Sequence, residues 1–454
     1  MKNLTGGLIL KNPSMANMGF FPVLEMIKNP NSRIILLTAE TAKGFIFLLN
    51  VNESDSNYKN VDGSFVTSFI IKIVVIAPES NIPLVKQYKD IPKFSESAQS
   101  FLNEAKIQQD IWIKTIENGS KEFTPSIANF VLFNNQNSHK LVGCLDEKLH
   151  SKTRVGADVP MMSVITYLVD ILYKNQEYEL GVITMPTINN NITLYKYIQI
   201  NENNDELIHN AYSNAIANVI RLFLFYGVFH FDLNSSNILI IKDGPQMGRI
   251  YIIDFGGATD IMIPDINDPY LTPQMKSNLN EKIRELLEEF RKIINSEDVN
   301  PSQVNSDKID FIDIICNYLI TIDNTINQTI GQYSNSGDYQ MQWLDQIFDL
   351  DKAISDKIFL KAFEILANSE MMFPIEPPSD LEEYIQHNVF QLSRDISSFY
   401  SNLTDCAYHP VYAPDLNKRY PETGGKKKTK VNKKKNKIQT KKSGKYKKSR
   451  KSRK

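Results

Sequence analysis

The feature that most constrains this chain is the segment YGVFHFDLNSSNILI, Tyr226 to Ile240, where polar side chains interrupt an apolar run. Three of these polar residues, His230, Asp232 and Asn237, stand at the spacing HxDxxxxN. A buried polar group without a hydrogen bond costs about 2–7 kcal/mol, so each of them needs a partner or a function. Alone, an HxD triplet in a short loop is typical of a turn whose side chains bond their own backbone. Here a second segment, IIDFGGAT from Ile252 to Thr259, follows shortly after and adds another carboxylate at the end of an apolar strand.

Together the two segments resemble the catalytic loop and the metal-binding loop of the protein-kinase superfamily, in which HxDxxxxN precedes DFG. The resemblance implies that Asp232 accepts or orients the proton of the attacking hydroxyl. It also implies that Asn237 and Asp254 provide oxygen ligands for Mg²⁺, a hard cation, beside the triphosphate of ATP. His230 is expected to brace the loop without direct chemistry. ATP and Mg²⁺ are therefore the expected cofactors.

The same resemblance implies a lysine on the third strand and a glutamate on the following helix. Lys72 interrupts the apolar run FIIKIVVI, and a charge in such a strand needs a partner. Glu104, in FLNEAKIQQ, is the preferred partner, and Glu96 is an alternative. In the family such a lysine holds the α- and β-phosphates of ATP. An edge-strand lysine that extends into solvent is the competing interpretation of Lys72.

The resemblance also places the residues that would surround the nucleotide. The glycine-rich loop is reduced to residues 39–46, where one glycine of the family pattern remains and where looser backbone contact with the phosphates is expected. The family hinge falls near 183–188, and Pro186 removes one backbone donor there. The predicted nucleotide-binding residues, besides Lys72, are Gly44, Ile46, Ile70, Met185 and Ile188.

The order of elements predicts an α+β, bilobal, protein-kinase-like fold. β-Branched and aromatic residues indicate strands early in the chain, helical periodicity follows near 95–116, and the chain after Asp260 is mostly helical. We expect a small antiparallel-sheet N-lobe with one helix, a large helical C-lobe and a disordered basic tail. The predicted boundaries are 1–30 for an N-terminal extension, 31–188 for the N-lobe and hinge, 189–410 for the C-lobe, and 411–454 for the linker and tail.

Departures from the family pattern bear on the phosphate acceptor. Phe231 replaces the arginine that in many protein kinases holds a phosphorylated activation loop, Asn234 replaces a lysine usual in serine/threonine kinases, and no APE motif follows DFG. The leading prediction is a divergent kinase of the serine/threonine type that phosphorylates a protein hydroxyl. Small-molecule kinases of the aminoglycoside-phosphotransferase type share HxDxxxxN and lack APE, so they are the first alternative. A pseudokinase scaffold is the second.

Charge divides the chain at Gly424, because the tail beyond it holds 17 Lys or Arg and no acidic residue, which leaves 34 basic against 52 acidic residues in the body. Such a tail is expected to be disordered and to attract nucleic acid or another anionic surface through residues 426–454. The Lys-rich ending after Gly-Gly, with an Asn- and Ile-rich body, resembles proteins of giant DNA viruses. No apolar segment reaches the roughly 18–20 residues that span a bilayer, and no secretory signal is present. We therefore expect an intracellular protein, in the cytoplasm of a host cell or in a virion, with the tail as a route to the nucleus.

Overall fold

The structure is a computed structural model in which part of the chain is described. The described residues are 26–39, 41, 43–56, 64–79, 84, 88, 93–117, 121–152, 159–260, 301–329 and 341–368, with single positions at 277, 281, 285, 288 and 293. Most of the predicted N-terminal extension and all of the linker and Lys-rich tail at 411–454 lie outside them. The four predicted boundaries therefore remain predictions.

The first part of the chain forms one mixed sheet that is antiparallel except at one short pair. Its strands are β1 (Arg33–Thr38), β2 (Phe45–Asn50), β3 (Ser68–Ala77), β4 (Glu96–Ser97), β5 (Asn129–Phe133) and β6 (Glu179–Pro186). The order is β1-β2-β3-β6-β5, and β4 pairs in parallel with the end of β3. Lys72 in the middle of β3 stands opposite Ile46 of β2 and Ile183 of β6. Because side chains alternate along strands, these three residues share one face of the sheet.

Helix α1 (Ala98–Glu117) packs on the face of the sheet that carries Lys72. Phe101 and Ala105 of α1 join a buried cluster with Val74 of β3 and Ile183 of β6. The helix approaches so closely that a Cβ atom at Gly181 of β6 would lie 2.7 Å from the Phe101 ring. Only glycine fits at that position without a shift of the ring.

Two further helices, α2 (Asn135–Lys152) and α3 (Val159–Lys174), belong to a cluster on the opposite face. Leu141 of α2 and Leu168 of α3 are buried there with Phe47 and Ile71. The prediction of a single helix beside the sheet is therefore wrong. A signal for it was present, because FIIKIVVI is apolar at both alternations, as in a strand that is covered on both faces.

The second part of the chain is helical, as predicted. Helix α4 (Leu194–Ile200) precedes α5 (Asp205–Tyr226), which is capped by Gly227 in the left-handed conformation (φ 65°) that glycine readily adopts. Helices α6 (Pro301–Thr329), α7 (Gln342–Phe348) and α8 (Lys352–Ala367) complete the described helices, and their apolar sides share one core with α5. Among the helices that the structure describes, none is both long and apolar enough to cross a membrane.

Short strands carry the loops that the sequence singled out. They are β7 (Asn191–Thr193), β8 (Val228–Phe229), β9 (Ile238–Ile241), β10 (Ile250–Ile252) and β11 (Thr259–Asp260). Strand β9 lies between β10 and β7, and β11 pairs with β8. The indole of Trp343 in α7 donates to the carbonyl of Leu233 at 2.9 Å, so the late helices help to hold the loop between β8 and β9. The architecture is α+β, with a largely antiparallel sheet and several helices, as the sequence predicted.

Removing a buried side chain from α3 tests whether this helix is an integral part of the sheet domain. Leu168 is fully buried, whereas the side chain of Tyr173 on the same helix is 56% exposed. We expect Leu168→Ala to lower the free energy of unfolding by about 2–5 kcal/mol, and Tyr173→Ala to change it by about 0.5 kcal/mol or less. Urea unfolding followed by circular dichroism measures both. Equal effects of the two changes would contradict the packing.

Candidate functional site

Lys72 connects three separate elements at the centre of the site. Its ammonium nitrogen lies 2.6 Å from Oε1 of Glu104 on α1 and 2.7 Å from Oδ1 of Asp254, which follows β10. The side chains of Lys72 and Glu104 are 11% and 4% exposed, whereas that of Asp254 is 42% exposed. The structure thus brings together residues that are 32 and 182 positions apart in the chain.

The three charged side chains of this triad shift one another's pKa values. Burial disfavours the charged ammonium of Lys72, but the carboxylates of Asp254 and Glu104 outweigh it and raise the pKa of Lys72. Lys72 in turn lowers the pKa of Asp254 against the effect of burial. For Glu104 burial dominates and raises the pKa, while Lys72 opposes the rise. At neutral pH the triad therefore holds a cationic Lys72 beside an ionised and partly exposed Asp254.

Asp254 occupies an uncommon backbone conformation. Its φ and ψ of 63° and 66° lie in the left-handed region, which aspartate tolerates better than most residues. A single 3₁₀ turn, Phe255–Gly257, follows, and a Cβ atom at Gly256 would lie 3.3 Å from Oε2 of Glu104. This close approach explains why a glycine stands after Phe255, and it ties the loop to α1.

Asp232 is held by two asparagines within its own loop. Its Oδ1 accepts from the amide of Asn234 at 2.9 Å, and its Oδ2 and backbone carbonyl accept from the amide of Asn237 at 3.2 and 2.7 Å. Burial, and secondly the charge of Asp254, raise the pKa of Asp232 to about 6 although both asparagines oppose the rise. A carboxylate with a pKa near neutrality suits the acceptance of a proton. Asn234, which the sequence marked only as a departure from a family lysine, thus positions Asp232.

His230 lies behind this loop. The residue is 3% exposed, and its Nε2 is 3.0 Å from the carbonyl of Ile253. Burial lowers the pKa of His230 to about 4, so the neutral ring donates its Nε2 proton to that carbonyl. The ring also contacts Phe255, with centroids 4.9 Å apart. This is the bracing position that the sequence suggested, one residue from the start of the Asp254 turn.

Asn237 and Asp254 form an arrangement that fits a Mg²⁺ ion. The backbone N–H of Ile253 donates to the carbonyl of Asn237 at 3.0 Å, which places the two side chains on adjoining strand ends. Because the amide nitrogen of Asn237 is used by Asp232, its Oδ1 is left as an acceptor with no protein partner in the described part of the chain. Within the described residues no group of three or more His, Cys, Asp or Glu could hold a metal alone. Mg²⁺ usually takes one or two protein oxygens and completes its shell with phosphate and water, so two ligands suffice.

The predicted nucleotide residues lie mainly on the Lys72 face. Ile46 stands opposite Lys72, and Ile70 stands opposite Met185. The side chains of Ile46, Ile70 and Met185 are half-buried, whereas the residues on the opposite face of the sheet are buried. Gly44 is buried with φ 147°, and a Cβ atom there would lie 2.7 Å from the carbonyl of Ile73. The surface beside Lys72 is thus apolar and partly open, as a planar nucleobase requires.

The predicted hinge offers few backbone donors. Pro186 has no N–H, and the N–H of Thr187 donates to the carbonyl of Ser68 at 3.0 Å. Ile188 lies beyond the end of β6, and its carbonyl accepts from the side-chain amide of Asn191. Its N–H makes no hydrogen bond within the described residues, so Ile188 retains a donor for a ligand.

Two lysines near the β1–β2 turn escaped the sequence prediction. Lys93 is 2% exposed, and its ammonium contacts the carbonyls of Ala39, Thr41 and Gly44, at 2.5 Å for Ala39 and 3.1 Å for Gly44. Lys43 pairs with Glu96 at 2.6 Å. Glu96, the alternative partner considered for Lys72, therefore has a lysine of its own. No local pattern could identify these contacts, since the partners are separated by about 50 residues.

Comparison with known proteins identifies no family for this chain. No protein-family model matches the sequence, and a search of curated proteins gives no match. Among solved structures, the chain is similar to one described as "WaaP in complex with acyl carrier protein", with 12% identity, 74% of this chain and 92% of that chain covered, and a TM-score of 0.28. A similarity at this TM-score assigns neither a fold nor an activity, so the site is interpreted from its own geometry.

The buried His230 should make stability depend on pH. An unfolded imidazole titrates near its ordinary pKa of 6.5, and in the folded state the pKa is about 4, so the unfolded state binds a proton first as the pH falls. The stabilisation from the neutral ring is complete above about pH 6.5 and is lost progressively toward about pH 4. Between about pH 7 and about pH 5, this residue should account for a loss of about 2 kcal/mol.

Urea unfolding of the wild type and of His230→Gln at both pH values measures this loss. The glutamine amide can still donate to Ile253 but does not titrate, so the free energy of unfolding of the variant should fall by about 2 kcal/mol less over that range. An equal fall in both proteins would show that His230 is not buried as a neutral ring.

Proposed function

We propose that this protein is an ATP-dependent phosphotransferase that transfers the γ-phosphate to a hydroxyl group. The observation that carries the proposal is the convergence of Lys72, Glu104 and Asp254 in one ion-paired triad next to the loop that holds Asp232. Phosphoryl transfer depends mostly on positioning and electrostatic stabilisation, and this arrangement provides a cation, an exposed carboxylate and a proton acceptor.

Each residue has a distinct part in the proposed reaction. Lys72, positioned by Glu104, would bind the α- and β-phosphates. Asp232 would accept the proton of the hydroxyl as the hydroxyl oxygen bonds to the γ-phosphorus, while the bond from that phosphorus to the β–γ bridging oxygen breaks and ADP leaves. Asn237 and Asp254 would hold Mg²⁺ through their oxygens. When bound, this ion neutralises charge on the phosphate oxygens. The half-buried apolar face with Ile46, Ile70 and Met185 would receive the base, with Ile188 as backbone donor.

We propose that the phosphate acceptor is a protein hydroxyl, as in serine/threonine kinases. Small-molecule acceptors are the alternative and are tested in the same assay. The feature that favours a small-molecule acceptor is Asn234, which holds Asp232 where serine/threonine kinases have a lysine. The Lys-rich segment 426–454 is proposed to bring the protein to nucleic acid or another anionic surface. Under the second alternative, a pseudokinase scaffold, the Asp232 loop would be retained without catalysis.

Incubation of the purified full chain with Mg²⁺ and γ-labelled ATP tests the proposal. Asp232→Asn keeps the size of the side chain but cannot accept the proton, so phosphate incorporation should fall by at least about 100-fold. Asp349→Asn, at an exposed aspartate that follows the last residue of α7, is the control and should retain wild-type activity. Acceptors are offered in parallel: generic peptides and proteins, and sugars, aminoglycosides and choline.

The outcomes separate the alternatives. Incorporation into protein that is lost in Asp232→Asn supports the protein-kinase proposal, and label found only in a small molecule supports the alternative acceptor. Equal incorporation by wild type and Asp232→Asn would indicate a contaminating kinase. No product from the wild type with any acceptor, although ATP binds, would favour the scaffold.

A further inference from the structure

The turn between β1 and β2 is held from one side by a buried cation. The ammonium of Lys93 contacts three backbone carbonyls of this turn, those of Ala39, Thr41 and Gly44, and lies 4.7 Å from the centroid of the Phe45 ring. Thr41 adds a hydrogen bond from its hydroxyl to the carbonyl of Gly44 at 2.8 Å. These contacts fix the backbone of the turn without the flexibility that additional glycines would give.

Lys43 belongs to this turn and pairs with Glu96 of β4, two residues before α1 begins. Its ammonium is 2.6 Å from Oε1 of Glu96, whose side chain is 3% exposed and whose Oε2 has no hydrogen-bond partner in the described part of the chain. The side chain of Lys43 itself is 32% exposed. A lysine ammonium has three donors, and one carboxylate oxygen satisfies one of them. The remaining donors are accessible to a ligand.

The charge of Lys43 acts on both aspartates of the candidate site. Burial is the main cause that raises the pKa of Asp232, and the charge of Lys43 opposes this rise. Lys72 is the main cause that lowers the pKa of Asp254, and Lys43 adds to the effect. The strand register gives the geometric reason, because Lys43 immediately precedes the start of β2, where Phe45 and Ile46 stand opposite Ile73 and Lys72.

From this geometry we infer that Lys43 is a second phosphate-binding lysine, positioned by Glu96 as Lys72 is positioned by Glu104. It would bind the terminal phosphates of a nucleoside triphosphate with its free donors while Glu96 keeps hold of it. The inference rests on the proposed function, because it assumes that a nucleotide occupies the cleft. Residues 39–46 keep only one glycine of the family pattern, and looser backbone contact with the phosphates is expected there. The side chain of Lys43 would supply a phosphate contact in its place.

Binding of ATP, ADP and adenosine to the full chain in the presence of Mg²⁺ tests the inference by titration calorimetry. Loss of one charge-assisted contact to phosphate should weaken ATP binding by about tenfold or more in Lys43→Gln. Binding of adenosine, which has no phosphate, should not change. Lys43→Arg should restore most of the affinity for ATP, and Lys357→Gln, at an exposed lysine on α8, serves as the charge control.

Glu96 gives a second and independent variant. If Glu96 acts through Lys43, Glu96→Gln should weaken ATP binding less than Lys43→Gln, and the double variant should match Lys43→Gln alone. Equal weakening of ATP and adenosine binding would indicate a merely structural pair and overturn the inference. Unchanged ATP affinity in Lys43→Gln, with the wild type binding ATP more tightly than adenosine, would overturn it and leave the proposed function intact. A wild type that binds no nucleotide would overturn both.

Discussion

The ion-paired triad of Lys72, Glu104 and Asp254 is the interaction on which the arrangement of the site depends. It joins β3, α1 and the turn after β10, three elements that are not adjacent in the sequence. A buried ion pair gives little net stability, because desolvation offsets most of the attraction, but removing one partner leaves an uncompensated charge. The triad therefore acts chiefly to specify geometry. It holds α1 at a defined position on the sheet, and Gly256 permits the Asp254 turn to approach Glu104.

The electrostatic environments of the two aspartates of the candidate site shift their pKa values in opposite directions. Asp254 contacts the cation Lys72, which lowers its pKa, whereas Asp232 is half-buried beside the amides of Asn234 and Asn237 and has a pKa of about 6. One carboxylate thus stays ionised and available to a cation, and the other can exchange a proton near neutral pH. His230 stays neutral behind them and links the two loops through Ile253.

The sheet differs from the predicted N-lobe in that both of its faces are covered. Helix α1 packs on the face of Lys72, and α2 and α3 pack on the other, which leaves the open part of the sheet at the half-buried positions Ile46, Ile70 and Met185. Burial of the face opposite Lys72 stabilises the strands, and the three half-buried residues lie on the Lys72 face. Two lysines hold the β1–β2 region, because Lys93 contacts backbone carbonyls of the turn and Lys43 pairs with Glu96 of β4.

The sequence alone determined the residue types and spacing of the Asp232 loop and the apolar run of β3 that Lys72 interrupts, because these depend on neighbouring residues. From them the α+β class and the helical second part could be predicted. The sequence favoured Glu104 over Glu96 as the partner of Lys72 but could not exclude Glu96, since it predicted both glutamates in one helix. The tertiary structure decided the pairing, because Glu96 lies in β4 and pairs with Lys43. The helices α2 and α3, the anchoring of the turn by Lys93 and the contact from Trp343 to Leu233 also required the fold. Each joins segments far apart in the chain, and no local periodicity encodes which distant surface a buried side chain will meet.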